Sequence, residues 1–314
     1  MHVDDSYTPA QQAVIDVLGA SRDERPEFDR DLRDRLRDSV AEDLAPFAGD
    51  FTPDDPLFVS KRALAQVHGC EALYLHDDAA EFVWIAPIAV GMVAHKAIEL
   101  SIHWRGSPHP FDLVDESLAR LSGEDRGLGA FLQTLSESDR AQLRSDVNDR
   151  VAAFLETWPP LKPRWRPVTE SRVRAEFLGG RIVVSGKVDL TLGHADGSRA
   201  GKVIVDLKTG RSRGSHRDDL RLYALVETLR IGTPPRIVAS YYLDQGQFVP
   251  EAVTEDVLDA AAARLVAGVA AMTELAAKER DPVKRPGPAC RWCSLLDDCD
   301  EGTNHLAEVE TDEM

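Results

Sequence analysis

The segment Val203-Ile-Val-Asp-Leu-Lys-Thr-Gly210 constrains the fold of this chain more than any other part of the sequence. Its run of β-branched and apolar residues is typical of a buried strand, and the Thr-Gly pair indicates a turn. Because side chains alternate along a strand, Asp206 and Lys208 point to the same side. Asp-x-Lys also occurs as solvated surface charge, but charged groups beside a buried run require a partner or a function. The segment therefore predicts a strand whose polar end carries a site.

A second strand-like run, from Ile182 to Leu190, carries Asp189 near its end. Mg²⁺ and Mn²⁺ prefer oxygen ligands, and one or two carboxylates suffice when substrate phosphates supply further oxygens. Asp189 and Asp206 are therefore candidate ligands for a divalent cation at adjacent strand ends. The Lys208 ammonium could orient a water molecule and offset charge that develops on a phosphorus atom. This combination indicates metal-dependent phosphodiester hydrolysis.

Four motifs, in order along roughly residues 60 to 300, make the chain resemble the RecB-like branch of the PD-(D/E)XK nuclease superfamily. They are Gly91-Met-Val-Ala-His95 followed by Glu99, Gly186-Lys-Val-Asp189, Asp206-Leu-Lys208-Thr-Gly210 and Asp219-Leu-Arg-Leu-Tyr223. The resemblance implies an α/β fold of the restriction-endonuclease type, with a mixed β-sheet flanked by helices. The sequence itself predicts a helical N-terminal region, because apolar residues recur there every four positions, and a C-terminal tail that bears cysteines. The recurring residues are Phe28, Leu32, Leu36, Val40 and Leu44.

The resemblance assigns a role to each residue of the motifs. It implies that His95, Asp189 and Asp206 bind Mg²⁺ or Mn²⁺, with the main-chain carbonyl of Leu207 as a further ligand. Lys208 is then the catalytic lysine. Taken alone, a histidine in an apolar helix is more often a hydrogen-bonded core residue than a metal ligand.

The fourth motif departs from the family pattern, because Asp219 stands where the branch has glutamine. Glutamine both donates and accepts hydrogen bonds, whereas an ionised aspartate only accepts them. Asp219 and Tyr223, the other catalytic candidate there, fall four residues apart on one helical face. A helix that simply packs its leucines against a sheet also fits this segment. Glu170 resembles another acidic position of the branch, and a surface glutamate is the alternative.

The four cysteines form a possible second metal site. Cys290, Cys293 and Cys299 follow a Cys-x₂-Cys-x₅-Cys pattern, and Cys70 is the remaining cysteine. Spacing alone does not separate an iron–sulfur cluster from zinc, and free or disulfide-bonded cysteines are further alternatives. AddB-type nucleases and CRISPR-associated spacer-acquisition nucleases carry one cysteine before the nuclease core and three after it. Similarity to them implies a [4Fe–4S] cluster that joins both ends of the chain.

Composition limits the class of protein but leaves nucleic acid as a candidate partner. The net charge of −17 is unfavourable for phosphate contacts, yet basic residues gather just after the catalytic lysine, at Arg211, Arg213, His216, Arg217 and Arg221. We find no run long enough to cross a membrane and no signal peptide, and expect a cytoplasmic protein. No Gly-x₄-Gly-Lys-Ser/Thr loop is present, so a DNA motor would have to come from a helicase partner.

The sequence predicts three parts: an acidic helical region over residues 1–55, a RecB-like nuclease domain over 56–304 and an acidic tail over 305–314. The function implied is a metal-dependent deoxyribonuclease, an exonuclease on single-stranded DNA or DNA ends, in repair, recombination or defence. The alternatives are a catalytically inactive DNA-binding or scaffolding subunit of a helicase-nuclease or defence complex, and a zinc-stapled interaction protein.

Overall fold

The computed structural model describes residues 7–49, 51–124, 126–210 and 212–312. The chain divides into two compact units. The first unit comprises Met1–Asp34, Val83–Val173 and Lys187–Leu258, and the second comprises Arg35–Phe82, Arg174–Gly186 and Asp259–Met314. This division rests on compactness alone, so the three functional parts expected from the sequence stay a prediction.

The described residues form eleven α-helices joined by short 3₁₀ turns. They are α1 (Pro9–Leu18), α2 (Leu32–Leu44), α3 (Lys61–Gly69), α4 (Glu71–Ala79), α5 (Ala86–Ile102), α6 (Pro110–Glu124), α7 (Arg126–Thr134), α8 (Glu137–Thr157), α9 (Ser215–Ile231), α10 (Glu255–Ala276) and α11 (Asp300–Asp312). Helix α2 confirms the four-residue apolar spacing, because Leu32, Leu36, Val40 and Leu44 are all buried. Among the residues described, no helix is long and apolar enough to cross a membrane.

Six strands form one mixed sheet. They are β1 (Leu57–Val59), β2 (Val168–Phe177), β3 (Ile182–Leu192), β4 (Val203–Lys208), β5 (Ile237–Tyr242) and β6 (Gln247–Ala252). The order is β1-β3-β4-β5-β6, and β2 also pairs with β3. Strand β4 runs antiparallel to β3 and parallel to β5, and β6 runs antiparallel to β5. The sequence did not predict β1 or β6.

Helices cover both faces of the sheet in the first unit. Helices α5 to α8 share one buried core with Leu190, Val205 and Tyr241, which stand on the same face of β3, β4 and β5. Helix α9 contacts β4 and β5. The expected mixed sheet flanked by helices, of the restriction-endonuclease type, is therefore confirmed.

Candidate active site

A histidine from the middle of α5 meets two carboxylates, one from β2 and one from β3. His95 on α5 lies with its Nδ1 atom 3.3 Å from Oδ1 of Asp189 on β3. Glu170, at the start of β2, completes a group in which one ligand atom from each residue lies within 4.8 Å of the others. A nitrogen and two carboxylate oxygens in such proximity suit a divalent cation.

The register between β3 and β4 brings the two predicted aspartates together. Leu190 pairs with Val205, so Asp189 and Asp206 are the next residues along neighbouring strands. The Leu207 N–H donates a hydrogen bond of 2.7 Å to Oδ2 of Asp189. One oxygen of Asp189 thus contacts the neighbouring strand β4, and the other lies beside His95.

Lys208 lies between two carboxylates. Its ammonium is 2.7 Å from Oδ2 of Asp206 and donates a hydrogen bond of 3.1 Å to Oδ2 of Asp219 on α9. Asp206 is only 1 % exposed, so its negative charge depends on this neighbour for compensation. Asp206 is not a member of the close group formed by His95, Glu170 and Asp189.

Helix α9 is fixed to the sheet beside the site. The Tyr223 hydroxyl donates a hydrogen bond of 2.8 Å to the Lys187 carbonyl on β3, and the Tyr223 side chain is buried. This contact orients the face of α9 that presents Asp219. Tyr223 therefore acts on the position of Asp219 and lies outside the close group of His95, Glu170 and Asp189.

Two backbone features help α5 and β2 approach the site residues of β3 and β4. A Cβ atom at Gly91 on α5 would lie 3.2 Å from Oγ1 of Thr209, so the missing side chain lets α5 approach the turn after Lys208. Glu170 has a φ of +52°, a left-handed conformation that is uncommon for residues other than glycine. Its carboxylate forms an ion pair with Lys187.

The charge of His95 depends on its acidic neighbours. Burial acts to lower the pKa of His95, but Asp189, which is hydrogen-bonded to it, and the negative charges of Asp206 and Glu170 have the larger combined effect. The pKa is therefore raised above the usual histidine value. Coordination of a cation requires the neutral ring, so metal and proton compete for this side chain.

A family model for the PD-(D/E)XK nuclease superfamily matches residues 59–300. The chain belongs to this superfamily. No curated protein matches the sequence.

Two solved structures are similar to this PD-(D/E)XK protein in part. One, from Eubacterium rectale and described as a candidate exonuclease, has 13 % sequence identity and a TM-score of 0.46, covering 79 % of this chain and 87 % of its own. The other, named SSO0001, has 11 % identity and a TM-score of 0.35, covering 86 % of this chain and 96 % of its own.

PD-(D/E)XK nucleases use divalent metal ions, and the acidic group offers such an ion suitable donors. The donor set of one imidazole nitrogen and two carboxylates can hold a divalent cation. When bound, the ion supplies charge neutralisation and an activated water. The chain's own contribution is to fix Asp189 through the Leu207 amide and to hold the Lys208 ammonium beside Asp206.

The cluster of basic residues expected after Lys208 is only partly available for phosphate contacts. Arg221 forms a two-pronged ion pair with Glu251 on β6. Arg213 and Arg217 are exposed, and His216 contacts the Tyr242 hydroxyl at 3.1 Å. Arg211 lies outside the described residues.

All four cysteines lie in the second unit and carry no disulfide bond. Cys70 sits at the junction between α3 and α4, one position beyond the helix that Ser60 caps. Among the cysteines, all of which are described, no three sulfurs lie within 4.8 Å of one another. A Cβ atom at Gly302 would lie 3.4 Å from the Cys299 sulfur and 3.6 Å from the Cys290 sulfur, so both face the same glycine.

Glu71, the residue after Cys70, binds the segment that leads to the other three cysteines. Its carboxylate accepts hydrogen bonds from Arg280 at 2.5 and 3.1 Å, from the Val283 N–H at 2.8 Å and from Arg285 at 3.4 Å. The side chain is only 3 % exposed. This contact anchors the chain before Cys290 to the start of α4.

Proposed function

We propose that this protein is a Mg²⁺- or Mn²⁺-dependent deoxyribonuclease that degrades single-stranded DNA or DNA ends as an exonuclease. One observation carries the proposal: the Lys208 ammonium lies against Asp206, directly beside the group of His95, Glu170 and Asp189. Metal-dependent hydrolysis of a phosphodiester requires metal ligands and a positive charge close to the same phosphate group.

Each residue has a distinct part in this proposal. His95, Asp189 and Asp206 hold the cation together with the Leu207 carbonyl, and Glu170 joins them. Glu170 is added because its carboxylate lies with those of the close group and its strained backbone directs it there.

Lys208 then places its ammonium toward the attacked phosphate. Of its two carboxylate neighbours, Asp206 belongs to the proposed metal ligands and Asp219 does not. Asp219 therefore acts as a positioning residue: it fixes the lysine side chain from the α9 side, and Tyr223 fixes α9. A glutamine at this place would accept the same hydrogen bond through its carbonyl oxygen without the negative charge.

The four cysteines are proposed to hold a [4Fe–4S] cluster. Four thiolates are the common ligand set of such clusters. The Cys290 and Cys299 sulfurs already face Gly302, and the Glu71 contact holds the tail against the helix junction at Cys70. The cluster would then act as a crosslink between chain segments that are some 220 residues apart, restricting the unfolded chain.

We propose further that the enzyme acts in the cytoplasm, in DNA repair, recombination or defence against foreign DNA. Separation of the DNA strands would require a helicase partner, because this sequence contains no Gly-x₄-Gly-Lys-Ser/Thr loop for binding nucleotide phosphates. The alternative is a catalytically inactive subunit that binds DNA or serves as a scaffold. The specific observation in its favour is the second carboxylate on Lys208, because it further neutralises the charge that would meet the phosphate.

The decisive experiment is cleavage of end-labelled single-stranded DNA by anaerobically purified protein with Mg²⁺ or Mn²⁺. Lys208→Ala is compared with Lys278→Ala, which removes an exposed lysine of the second unit. We expect cleavage by the wild type and by Lys278→Ala and none by Lys208→Ala, and the product ladder gives the polarity. Absence of cleavage in all three proteins, with Mn²⁺ binding intact by calorimetry, would favour the inactive subunit.

A further inference from the structure

A cavity with both polar and apolar walls opens in the first unit, away from the candidate active site. Its volume is about 230 Å³, and it lies between α1, the segment after α8, the end of β3 and the start of β4. Trp158, Trp165 and Leu192 form apolar parts of its wall, and Arg25 and Arg236 form charged parts. Since a water molecule occupies about 30 Å³ in the liquid, there is room for a small organic molecule.

Two residues of the cavity wall carry buried hydrogen-bond donors that have no acceptor among the described residues. Nε of Arg236 and Nε1 of Trp158 are buried, and neither has a hydrogen-bond partner. Arg236 is only 8 % exposed, and among the described residues its guanidinium group donates one hydrogen bond, from Nη2 to the Leu18 carbonyl. Buried donors are normally hydrogen-bonded, so two unpaired donors in wall residues of one cavity require an explanation.

The charges of the residues around the cavity favour binding of an anion. Among the residues described, no aspartate or glutamate lines it, and neither Arg25 nor Arg236 forms an ion pair within 4.0 Å. Within the described part of the chain, the Arg25 side chain donates hydrogen bonds to the Ala20 carbonyl alone. Burial, and secondly the positive charge of Arg25, lower the pKa of Arg236. Two neighbouring cations without a carboxylate are unfavourable unless an anion binds between them.

The backbone around the cavity is built to let the guanidinium groups approach. At Gly201 a Cβ atom would lie 2.9 Å from Nη1 of Arg25 and 2.2 Å from the His194 carbonyl oxygen, so only glycine fits. Gly193 has a φ of +71°, and its N–H donates a hydrogen bond of 2.7 Å to the Trp165 carbonyl. The turn between β3 and β4 therefore fixes Trp165 and leaves space for Arg25.

We propose that this cavity, defined by Arg25, Arg236 and Trp158, binds a phosphate monoester. Arginine binds phosphate oxygens in pairs through its planar guanidinium group, and two arginines line this cavity. Trp165 offers an apolar surface for an attached ring. The phosphate belongs either to a free nucleotide or to the 5′ end of a DNA strand, since both present the same group.

The cavity is separate from the catalytic strand end. Val203 lines it, and Asp206 and Lys208 follow on β4 by three and five residues, which corresponds to roughly 10 to 17 Å. Alternation along the strand also turns Val203 to the opposite face from Asp206. Binding at the cavity can therefore be measured whether or not the protein cleaves DNA.

The test is calorimetric titration of the full chain, in EDTA so that no cleavage occurs. The ligands are inorganic phosphate, dAMP, and one oligonucleotide with either a 5′-phosphate or a 5′-hydroxyl. We expect phosphate or dAMP to bind with one site per chain. Tighter binding of the 5′-phosphorylated oligonucleotide than of the 5′-hydroxyl form would assign the site to DNA ends, and equal binding would assign it to free nucleotides.

Three arginine variants decide whether the cavity is the site. Arg236→Met and Arg25→Met should each weaken phosphate binding at least tenfold. Arg22→Met, which removes an exposed arginine paired with Asp196 in the same unit, should bind like the wild type. Arg25→Met keeps the test valid if Arg236→Met does not fold. No binding of any phosphate ligand by the wild type, or unchanged affinity in both cavity variants, would overturn the proposal.

Discussion

Replacing Glu71 with glutamine should lower the free energy of unfolding by about 1.5–3 kcal/mol at pH 7, the range for hydrogen bonds to charged groups. Both carboxylate oxygens accept bonds from arginines, and one also accepts the Val283 N–H. Glutamine keeps one acceptor and turns an NH₂ group toward donors. The full penalty of a buried unpaired charge is not expected, because the side chains of Arg280 and Arg285 are 32 % and 45 % exposed and can be hydrated.

The loss of stability caused by Glu71→Gln should be smaller in acid than at neutral pH. The Arg280 guanidinium, hydrogen-bonded to Glu71, lowers the pKa of this carboxyl below its usual value. Its contribution to stability is therefore complete above the unfolded pKa, about 4.3, and is lost as the pH falls through the lower folded value. The difference between wild type and Glu71→Gln should be constant at neutral pH and shrink only in acid.

Urea denaturation at pH 7, 5 and 3.5 measures this difference, with both proteins prepared in the same cluster state. Glu274→Gln is the matched control, because Glu274 also binds Arg280, at 2.7 Å, but its side chain is 38 % exposed. An exposed pair contributes about 0.2–1 kcal/mol, so the control should change little. Equal stability of wild type and Glu71→Gln at pH 7, or a difference that persists unchanged at pH 3.5, would refute the reasoning.

Four further experiments test the site. Asp206→Ala should abolish cleavage without loss of the far-ultraviolet circular dichroism spectrum, and cleavage at the wild-type rate would remove Asp206 from the proposed metal ligands. Asp219→Gln should preserve or raise the cleavage rate, since the hydrogen bond to Lys208 can persist; complete loss in a gel assay would show that the carboxylate itself is required. Tyr223→Phe should lower the unfolding free energy by about 0.5–1.5 kcal/mol, because its part-buried hydrogen bond to the Lys187 carbonyl is lost; calorimetry measures it. DNA affinity should fall roughly tenfold or more between about 50 and 200 mM salt, and a flat binding profile would argue against phosphate contacts.

The strands of the site could be predicted because their residues obey local rules. Val203 to Lys208 is an apolar run with charged residues at one end, and it forms β4. Ile182 to Leu190 is rich in β-branched residues with Asp189 near its end, and it lies within β3. Their register followed from neither run, since it depends on a hydrogen-bonded ladder that pattern alone does not specify. Once formed, that ladder places Asp189 and Asp206 side by side.

Other features could not be derived from local pattern. Strand β1 has only three residues, and β6 contains Pro250 and alternates weakly, so neither gave a clear signal. Glu170 stood as a weaker candidate because a left-handed backbone conformation leaves no mark in the sequence. The pairing of Asp219 with Lys208 required the position of α9 against the sheet, which arises from packing of distant residues.

Asp189 accepts a hydrogen bond from the Leu207 amide and also belongs to the candidate metal group. These two roles affect what the presence of this aspartate says about the activity of a related sequence. A homologue that lost its chemistry would still gain stability from the aspartate, because the buried amide of the next strand needs an acceptor. Retention of Asp189 is therefore weak evidence of activity in such a homologue. Loss of Lys208 alone would leave the buried Asp206 uncompensated, so we expect these two residues to be lost together in a lineage that has given up the chemistry.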